Sequence, residues 1–322
     1  MFHIFPEIPD FSNNTFLITG GAGFIGSHVC DFLVDAKAKK IVVFDNISTG
    51  SLHNIQHHLD KNTIEFINGD ITDYDDCLKT TINVDIVIHL AALGSVPRSV
   101  ANPLATHEAN STGFLNVLWA AHQNKVSKFI YASSSSVYGD NCLSPKVEGN
   151  EGFPLSPYAL TKQNNEANAK LFSSLYTLQT IGLRFFNIFG PRQNSNGPYA
   201  AFLPLVISCA KNKNELKING DGLQSRDFTY VANAVYAIKC AIIANKGISG
   251  VAFNVGCGKS SSLLEVIHLV EKISGTTITK SHQPERSGDI KNSLADLASS
   301  SLLLGYKPIY SIEDGLSITF KE

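Results

Sequence analysis

The chain has 322 residues, 43% of them hydrophobic, and a formal net charge of −2. That length suits one large domain or two modest ones, and the balanced charge excludes nucleic acid and anionic membrane as implied partners. No apolar run approaches a membrane span, residues 1–14 lack the basic start and apolar core of a signal peptide, and six scattered cysteines without a C-x-x-C or His/Cys cluster favour a cytoplasmic protein with reduced thiols and no structural metal.

In chain order, residues 1–14 are expected to form an arm packed on the domain. Phe16-Leu17-Ile18-Thr19 reads as a strand and ends in glycines, and residues 24–34 read as a helix with Ile25, Val29, Phe32 and Leu33 on one face. This is the strand–turn–helix context of a dinucleotide fingerprint. Gly20 permits the tight turn, Gly23 lets backbone approach a pyrophosphate, and Gly26 allows helix and strand to pack closely. The helix-start amides at Phe24 and Ile25 then face the phosphates. A second strand over 41–44 ends in Asp45, placed to accept the adenosine ribose hydroxyls; a plain strand-ending acid is the alternative. Asn46 follows where a 2′-phosphate would need an arginine, so NAD is favoured over NADP. A third strand, 64–67, leads to Asp70 and Ile71 near the adenine edge. A fourth, 85–90, ends in Ala91-Ala92-Leu93-Gly94, small enough for backbone to lie against the cofactor.

A fifth strand, 128–132, runs into Ser133-Ser134-Ser135-Ser136. Ligands of open parallel sheets sit beyond the carboxyl ends of the strands, which is where these serines fall. Tyr158 and Lys162, four apart on a helix, share a face. An adjacent ammonium lowers a phenol's pKa, making Tyr158 a usable proton acceptor. Alone, the pair would be a solvated helix face and the serines a loop; the glycine loop upstream turns both into a redox site. The alternation of strands and helices over about 190 residues predicts an α/β fold: a Rossmann-like doubly wound parallel sheet. Residues 1–190 are assigned to NAD, and a segment near 229–255 is a candidate to return to that domain. After the break at Asn194-Ser195-Asn196-Gly197-Pro198, residues 191–322 read as a smaller mixed α/β C-terminal substrate domain, with helices near 201–213 and 262–274 and a strand at 216–218.

These motifs, with Arg184-Phe185-Phe186-Asn187-Ile188-Phe189-Gly190-Pro191-Arg192-Gln193 and Gly220-Asp221-Gly222-Leu223-Gln224-Ser225-Arg226-Asp227-Phe228, make the chain resemble extended short-chain dehydrogenases/reductases, in particular UDP-hexose 4-epimerases. The resemblance runs from about Phe16 to Pro308. It implies that Ser134 is the catalytic serine, with Ser135 and Ser136 as second candidates, Tyr158 the base, and Lys162 the residue that binds nicotinamide ribose. It implies further that Asn187, Arg226, Arg286 and Asp289 hold the nucleotide diphosphate and uridine, where guanidinium forks suit a pyrophosphate and a carboxylate suits a diol. Ion pairs of Arg226 with Asp227 and of Arg286 with Glu285 are the bland alternatives.

The reaction so implied oxidises the sugar at C4, rotates a 4-keto intermediate and returns the hydride to its other face. The sugar 4,6-dehydratases carry an acid pair after the catalytic Ser/Thr, and the decarboxylases a glutamate before Val-Tyr-Gly; here those positions are Ser135 and Ser136. At Ser293 the family places a tyrosine when the pocket takes plain hexoses and a small residue when it admits N-acetyl groups. Gly94, Ser95, Asn187, Gln193 and Ala201 match further wall positions of N-acetyl-selective members. The resemblance is therefore nearest to UDP-N-acetylglucosamine 4-epimerases, which interconvert UDP-GlcNAc and UDP-GalNAc. UDP-glucose/UDP-galactose and UDP-N-acetylhexosaminuronate epimerisation remain open. A non-catalytic NAD-sensing protein is the reading from another class, although such proteins typically lose the Tyr/Lys pair. Relatives dimerise through helices matching 103–123 and 157–177, which implies a homodimer; Leu115, Leu118, Trp119, Leu171 and Leu175 permit it, and equally permit packing on the chain's own sheet.

Overall fold

The computed structural model describes residues 5–195, 199–285 and 291–322. In chain order, the elements to the end of the serine run are β1 (Thr15–Thr19), α1 (Phe24–Asp35), β2 (Lys40–Asp45), α2 (Gln56–Leu59), β3 (Glu65–Asn68), α3 (Tyr74–Thr80), β4 (Ile86–His89), α4 (Val96–Ala101), α5 (Pro103–His107), α6 (Gly113–Gln123) and β5 (Lys128–Ser134). They continue with α7 (Pro157–Tyr176), β6 (Gln179–Phe185), β7 (Ile188–Phe189), α8 (Phe202–Asn212), β8 (Leu216–Asn219), β9 (Ser225–Arg226), β10 (Thr229–Tyr230) and α9 (Val231–Ile243). The last are β11 (Val251–Val255), β12 (Ser261–Ser262), α10 (Leu263–Ser274), β13 (Lys280–Gln283), β14 (Asn292–Ser293) and α11 (Ile312–Lys321).

Seven strands form one sheet in the order β11-β6-β5-β4-β1-β2-β3, all parallel. A parallel sheet has both faces covered, so its strands read as continuous apolar runs. Alternate residues then feed two cores. Phe16 and Ile18 of β1 pack with Val29 and Phe32 of α1 and Val235 and Ile238 of α9. Leu17 points the other way, to Phe114, Val117 and Leu118 of α6 and Phe172 of α7. The chain crosses from the β1–β3 half to the β4–β6 half between β1 and β4, and that reversal opens a crevice at the carboxyl ends. The expected doubly wound sheet is therefore present. Of the N-terminal arm, Phe5 and Phe11 are buried in the α1 core. Among the described residues, no helix is long and apolar enough to cross a membrane.

The stretch 103–123, expected as one helix, is interrupted. A π-helical turn over Glu108–Thr112 separates α5 from α6 and turns Asn110 inward. The Asn110 side chain accepts from the Leu93 amide at 2.7 Å and donates to the Leu93 carbonyl at 3.1 Å and Thr161 Oγ1 at 3.4 Å. It thus pins the loop after β4 to the second turn of α7.

Arg184 on β6 ties the sheet to α7. Its guanidinium donates to both Glu166 oxygens, at 2.9 and 2.7 Å, and to the Tyr138 hydroxyl at 3.0 Å, and it pairs with Glu151. Burial opposes its charge, but Glu166 outweighs that and holds the guanidinium firmly protonated. Arg184→Met takes the guanidinium from Glu166 and leaves it, among the described residues, the Ser133 hydroxyl alone. We expect it to cost about 3 kcal/mol in urea unfolding, with the cofactor residues untouched.

Candidate active site

A cavity of about 600 Å³ lies along the carboxyl ends of the strands. Its first wall is the turn between β1 and α1. Gly20 has φ +70, and a Cβ there would meet the Ala91 amide nitrogen at 2.7 Å. A Cβ on Gly26 would meet the Gly20 carbonyl oxygen at 2.3 Å. The helix that follows has no side-chain cap at Gly23, so its first-turn amides, at Phe24 and Ile25, are presented to the cavity rather than to the chain's own side chains. Gly26→Ala must push the loop open. We expect NAD affinity to fall about tenfold or more and Tm to drop, as overpacking at such a contact costs about 1–3 kcal/mol; calorimetric titration with NAD checks it.

Asp45, at the end of β2, accepts from the Ala22 amide at 3.0 Å and the Ile47 amide at 2.9 Å. Burial raises its pKa against those two bonds. Each oxygen keeps a second lone pair for a ligand hydroxyl. Asn46 donates to Asp70 at 2.8 Å, joining the ends of β2 and β3. Burial would raise the Asp70 pKa, but the Thr72 amide and Asn46 outweigh it and hold the carboxyl below its usual range. Ile71, Ala91, Ala92 and Gly94 complete this part of the wall. Among the described lining residues the only Lys or Arg is Lys162, at the other end, so nothing here would receive a 2′-phosphate. A cradle without side chains, uncapped helix amides and paired carboxylates fit a dinucleotide whose ribose hydroxyls are free.

At the far end stand Ser134, Tyr158 and Lys162. The local sequence explains their placement. Ser156 caps α7 by accepting from the Ala159 amide at 3.1 Å, and Pro157 occupies the first turn, a position where its missing N–H costs nothing. Tyr158 therefore enters in the first turn, and Lys162 follows one turn on. The serine run is divided by geometry. Ser133 donates to Glu166, Ser134 accepts from the Ser136 amide at 3.1 Å and lies near enough to Tyr158 to favour its ionised form, and the Ser136 hydroxyl is buried without a partner among the described residues.

One expectation is corrected here. The Tyr158 pKa is raised, because burial outweighs the opposing effect of Ser134. Lys162 does not touch the phenol: its Nζ donates to the Ala132 carbonyl at 2.7 Å and stands 5.8 Å from the ring centroid. Burial draws the Lys162 pKa down to about 8, against the pull of Glu166. Four-residue spacing put the two on one face, but the same enclosure that brings them together penalises both charged forms.

The other described residues named from the sequence are not among those that line this cavity. Ser95 caps α4, accepting from the Arg98 amide at 3.3 Å. Asn187, with φ +36, is exposed after β6. Gln193 donates to the Ile188 carbonyl at 3.1 Å, while its Oε1 is buried without a partner among the described residues. Ala201 precedes α8. Arg226 and Ser293 sit side by side in the register of β9 and β14. Ser293 is 6% exposed, and Arg226 donates to the carbonyls of Ser225 at 2.9 Å and Lys291 at 3.3 Å. Asp227, the alternative partner of Arg226, is instead fully buried and accepts from the amides of Cys257 and Gly258 at 2.7 and 2.9 Å; burial raises its pKa to about 6. Arg286, with its alternative partner Glu285, and Asp289 were expected here too; Arg286 and Asp289 lie outside the described residues. The β14 strand is anchored toward the serine run, since Ala295 packs with Val137 and Tyr138 and Lys146 donates to the Leu294 carbonyl at 2.7 Å. Asn110 was missed in the sequence, where a one-residue helical insertion leaves no periodic trace.

Comparison with known proteins agrees with the fold and with an NAD site. The model of the NAD dependent epimerase/dehydratase family matches residues 16–256. A UDP-N-acetylglucosamine 4-epimerase from Methanobrevibacter ruminantium M1, solved with UDP-N-acetylmuramic acid, is 37% identical, with 97% of this chain and 98% of that one covered and a TM-score of 0.90. A UDP-glucose 4-epimerase from Thermotoga maritima, solved with UDP-glucose, is 32% identical over 95% of this chain and 97% of that one, with a TM-score of 0.89. An uncharacterised UDP-glucose epimerase of Bacillus subtilis strain 168 is 34% identical, covering 94% and 95% of the two chains.

Proposed function

The chain belongs to the NAD-dependent epimerase/dehydratase family, and from that membership we propose that it interconverts UDP-GlcNAc and UDP-GalNAc at C4. At the coarser level it is a UDP-sugar 4-epimerase with NAD as cofactor. Residues 1–190, together with a returning segment near 229–255, are assigned to NAD, and 191–322 mainly to the nucleotide sugar. The place of β11 in the main sheet supports the returning segment.

Bound on the glycine loop, NAD supplies a hydride acceptor and donor. Tyr158 removes the proton from sugar O4 and later restores it, which is general acid–base work. Ser134, beside Tyr158 in the cavity wall, shares that oxygen and fixes its position. Lys162 holds the Ala132 carbonyl and would bind the nicotinamide ribose. Arg226 and Asn187, with Arg286 and Asp289, hold the nucleotide end. No carboxylate stands at Ser135 or Ser136, so the dehydratase and decarboxylase chemistries lack their acid.

The observation that carries the N-acetyl reading is Ser293, a small residue buried beside Arg226. A small side chain leaves room for an acyl group at C2, and a plain hexose binds the same space less well without being shut out. The test is kcat/KM for UDP-GlcNAc, UDP-glucose and UDP-glucuronate at saturating NAD. UDP-GlcNAc should lead by about tenfold; a lead for UDP-glucose or UDP-glucuronate would displace the reading.

We assign the functional unit as a homodimer joined through α5–α6 and α7. In support, Leu115, Trp119, Leu171 and Leu175 are all exposed, whereas Leu118 is fully buried in the chain's own core. The same pair of helices thus presents an outward apolar face after its inward needs are met.

A further inference from the structure

Away from the cavity, Asp31 on α1 meets His57 and His58 on α2. His57 Nε2 lies 3.0 Å and His58 Nε2 2.8 Å from Asp31 Oδ1, and the three atoms fall within 4.8 Å of one another. None of the three residues lines the cofactor cavity. Each buried member is held from behind. Arg192 Nη2 binds the opposite carboxylate oxygen, Oδ2, at 2.8 Å, which leaves Oδ1 turned to the imidazoles. His58 Nδ1 is 3.0 Å from Thr63 Oγ1, and that hydroxyl reaches the His58 carbonyl at 3.3 Å. A hydroxyl has one hydrogen to give. Without an ion, Nε2–H donates to Asp31 Oδ1 and Nδ1 accepts from Thr63; an ion on Nε2 shifts that hydrogen to Nδ1, which Thr63 accepts while giving its own to the His58 carbonyl.

We propose that Asp31, His57 and His58 form a binding site for a divalent transition-metal ion of the zinc class. Two imidazoles and a carboxylate are the donor set such ions select, with water in the fourth position. Ligands about 2.0–2.1 Å from a tetrahedral zinc lie about 3.3 Å apart, so the two imidazole–carboxylate separations, 3.0 and 2.8 Å, open by a few tenths of an ångström to receive the ion. Outer partners on the ligands are the usual support of such sites, and Thr63 and Arg192 occupy those places. Entry is from the His57 side, whose side chain is 45% exposed. The bound ion ties α1, whose first turn belongs to the glycine loop, to α2. Through Arg192 it also ties both to the segment that carries Gln193, and His28 reinforces the link by donating to the Pro191 carbonyl at 3.0 Å.

The test uses metal-free, full-length protein without sugar nucleotide. Zn(II) is titrated against a chromophoric chelator, and Co(II) is followed by its visible ligand-field absorption. One tight equivalent is expected, indifferent to excess Mg(II), and a Tm that rises with Zn(II). His57→Ala and Asp31→Asn should each weaken it by about tenfold or more, and Thr63→Val by a smaller factor with the fold intact. His268→Ala, at an exposed histidine elsewhere, should leave it unchanged. Absence of a tight equivalent, or its retention in both His57→Ala and Asp31→Asn, overturns the proposal and leaves a hydrogen-bonded imidazole–carboxylate cluster.

Discussion

Tyr158→Phe is expected to lower kcat for UDP-sugar epimerisation by about 10³-fold, the middle of the range for loss of a positioned acid–base group. That is about 4 kcal/mol of barrier. The substitution removes one oxygen from a half-buried ring. What is lost is the group that takes the O4 proton. NAD affinity and Tm should change little, because the glycine loop, Asp45 and the Lys162–Ala132 bond do not depend on the hydroxyl. The pH profile supplies a second check. Burial raises the phenol's pKa, so the basic form is scarcer at neutral pH than an adjacent ammonium alone would make it, and the wild-type rate should climb with pH above neutrality. A rate unchanged in Tyr158→Phe would remove Tyr158 from the chemistry.

Ser293→Tyr is expected to divide the substrates. A phenol placed in this buried position of β14 fills the space proposed for the acyl group, and kcat/KM for UDP-GlcNAc should fall by about 50-fold or more. UDP-glucose, with only a hydroxyl at C2, should keep its rate within about threefold or gain. Ser293→Ala should leave both substrates near wild type, which separates bulk from the loss of the hydroxyl. Full activity of Ser293→Tyr on UDP-GlcNAc would put Ser293 outside the sugar pocket.

The elements legible in the sequence were those written in local periodicity. The glycine turn, the apolar runs of β1, β2 and β4 and the amphipathic α1 all follow from repeat patterns within a few residues, and the sheet assembled from them is the expected one. What the sequence concealed depends on distance or enclosure. Asp31 meets His57 and His58 across more than 20 positions, with no metal-ligand spacing to announce it. Asn110 turns inward because of a π-helical turn that an apolar pattern does not encode. The charge on Lys162 was visible, but the burial that raises the Tyr158 pKa was not. Likewise, Leu115, Leu118, Trp119, Leu171 and Leu175 are all bulky residues suited to either surface, and only packing separates the inward Leu118 from the other four.

C4 epimerisation of a UDP-sugar regenerates its cofactor at every turnover. It is tested most directly by incubating purified protein with UDP-GlcNAc, and separately with UDP-glucose, with no NAD added, and separating the C4 epimers by chromatography. UDP-GalNAc forming catalytically, and faster than UDP-galactose, is the predicted result. No C4 epimer from either sugar, or product no greater than the NAD that co-purifies with the protein, would contradict it.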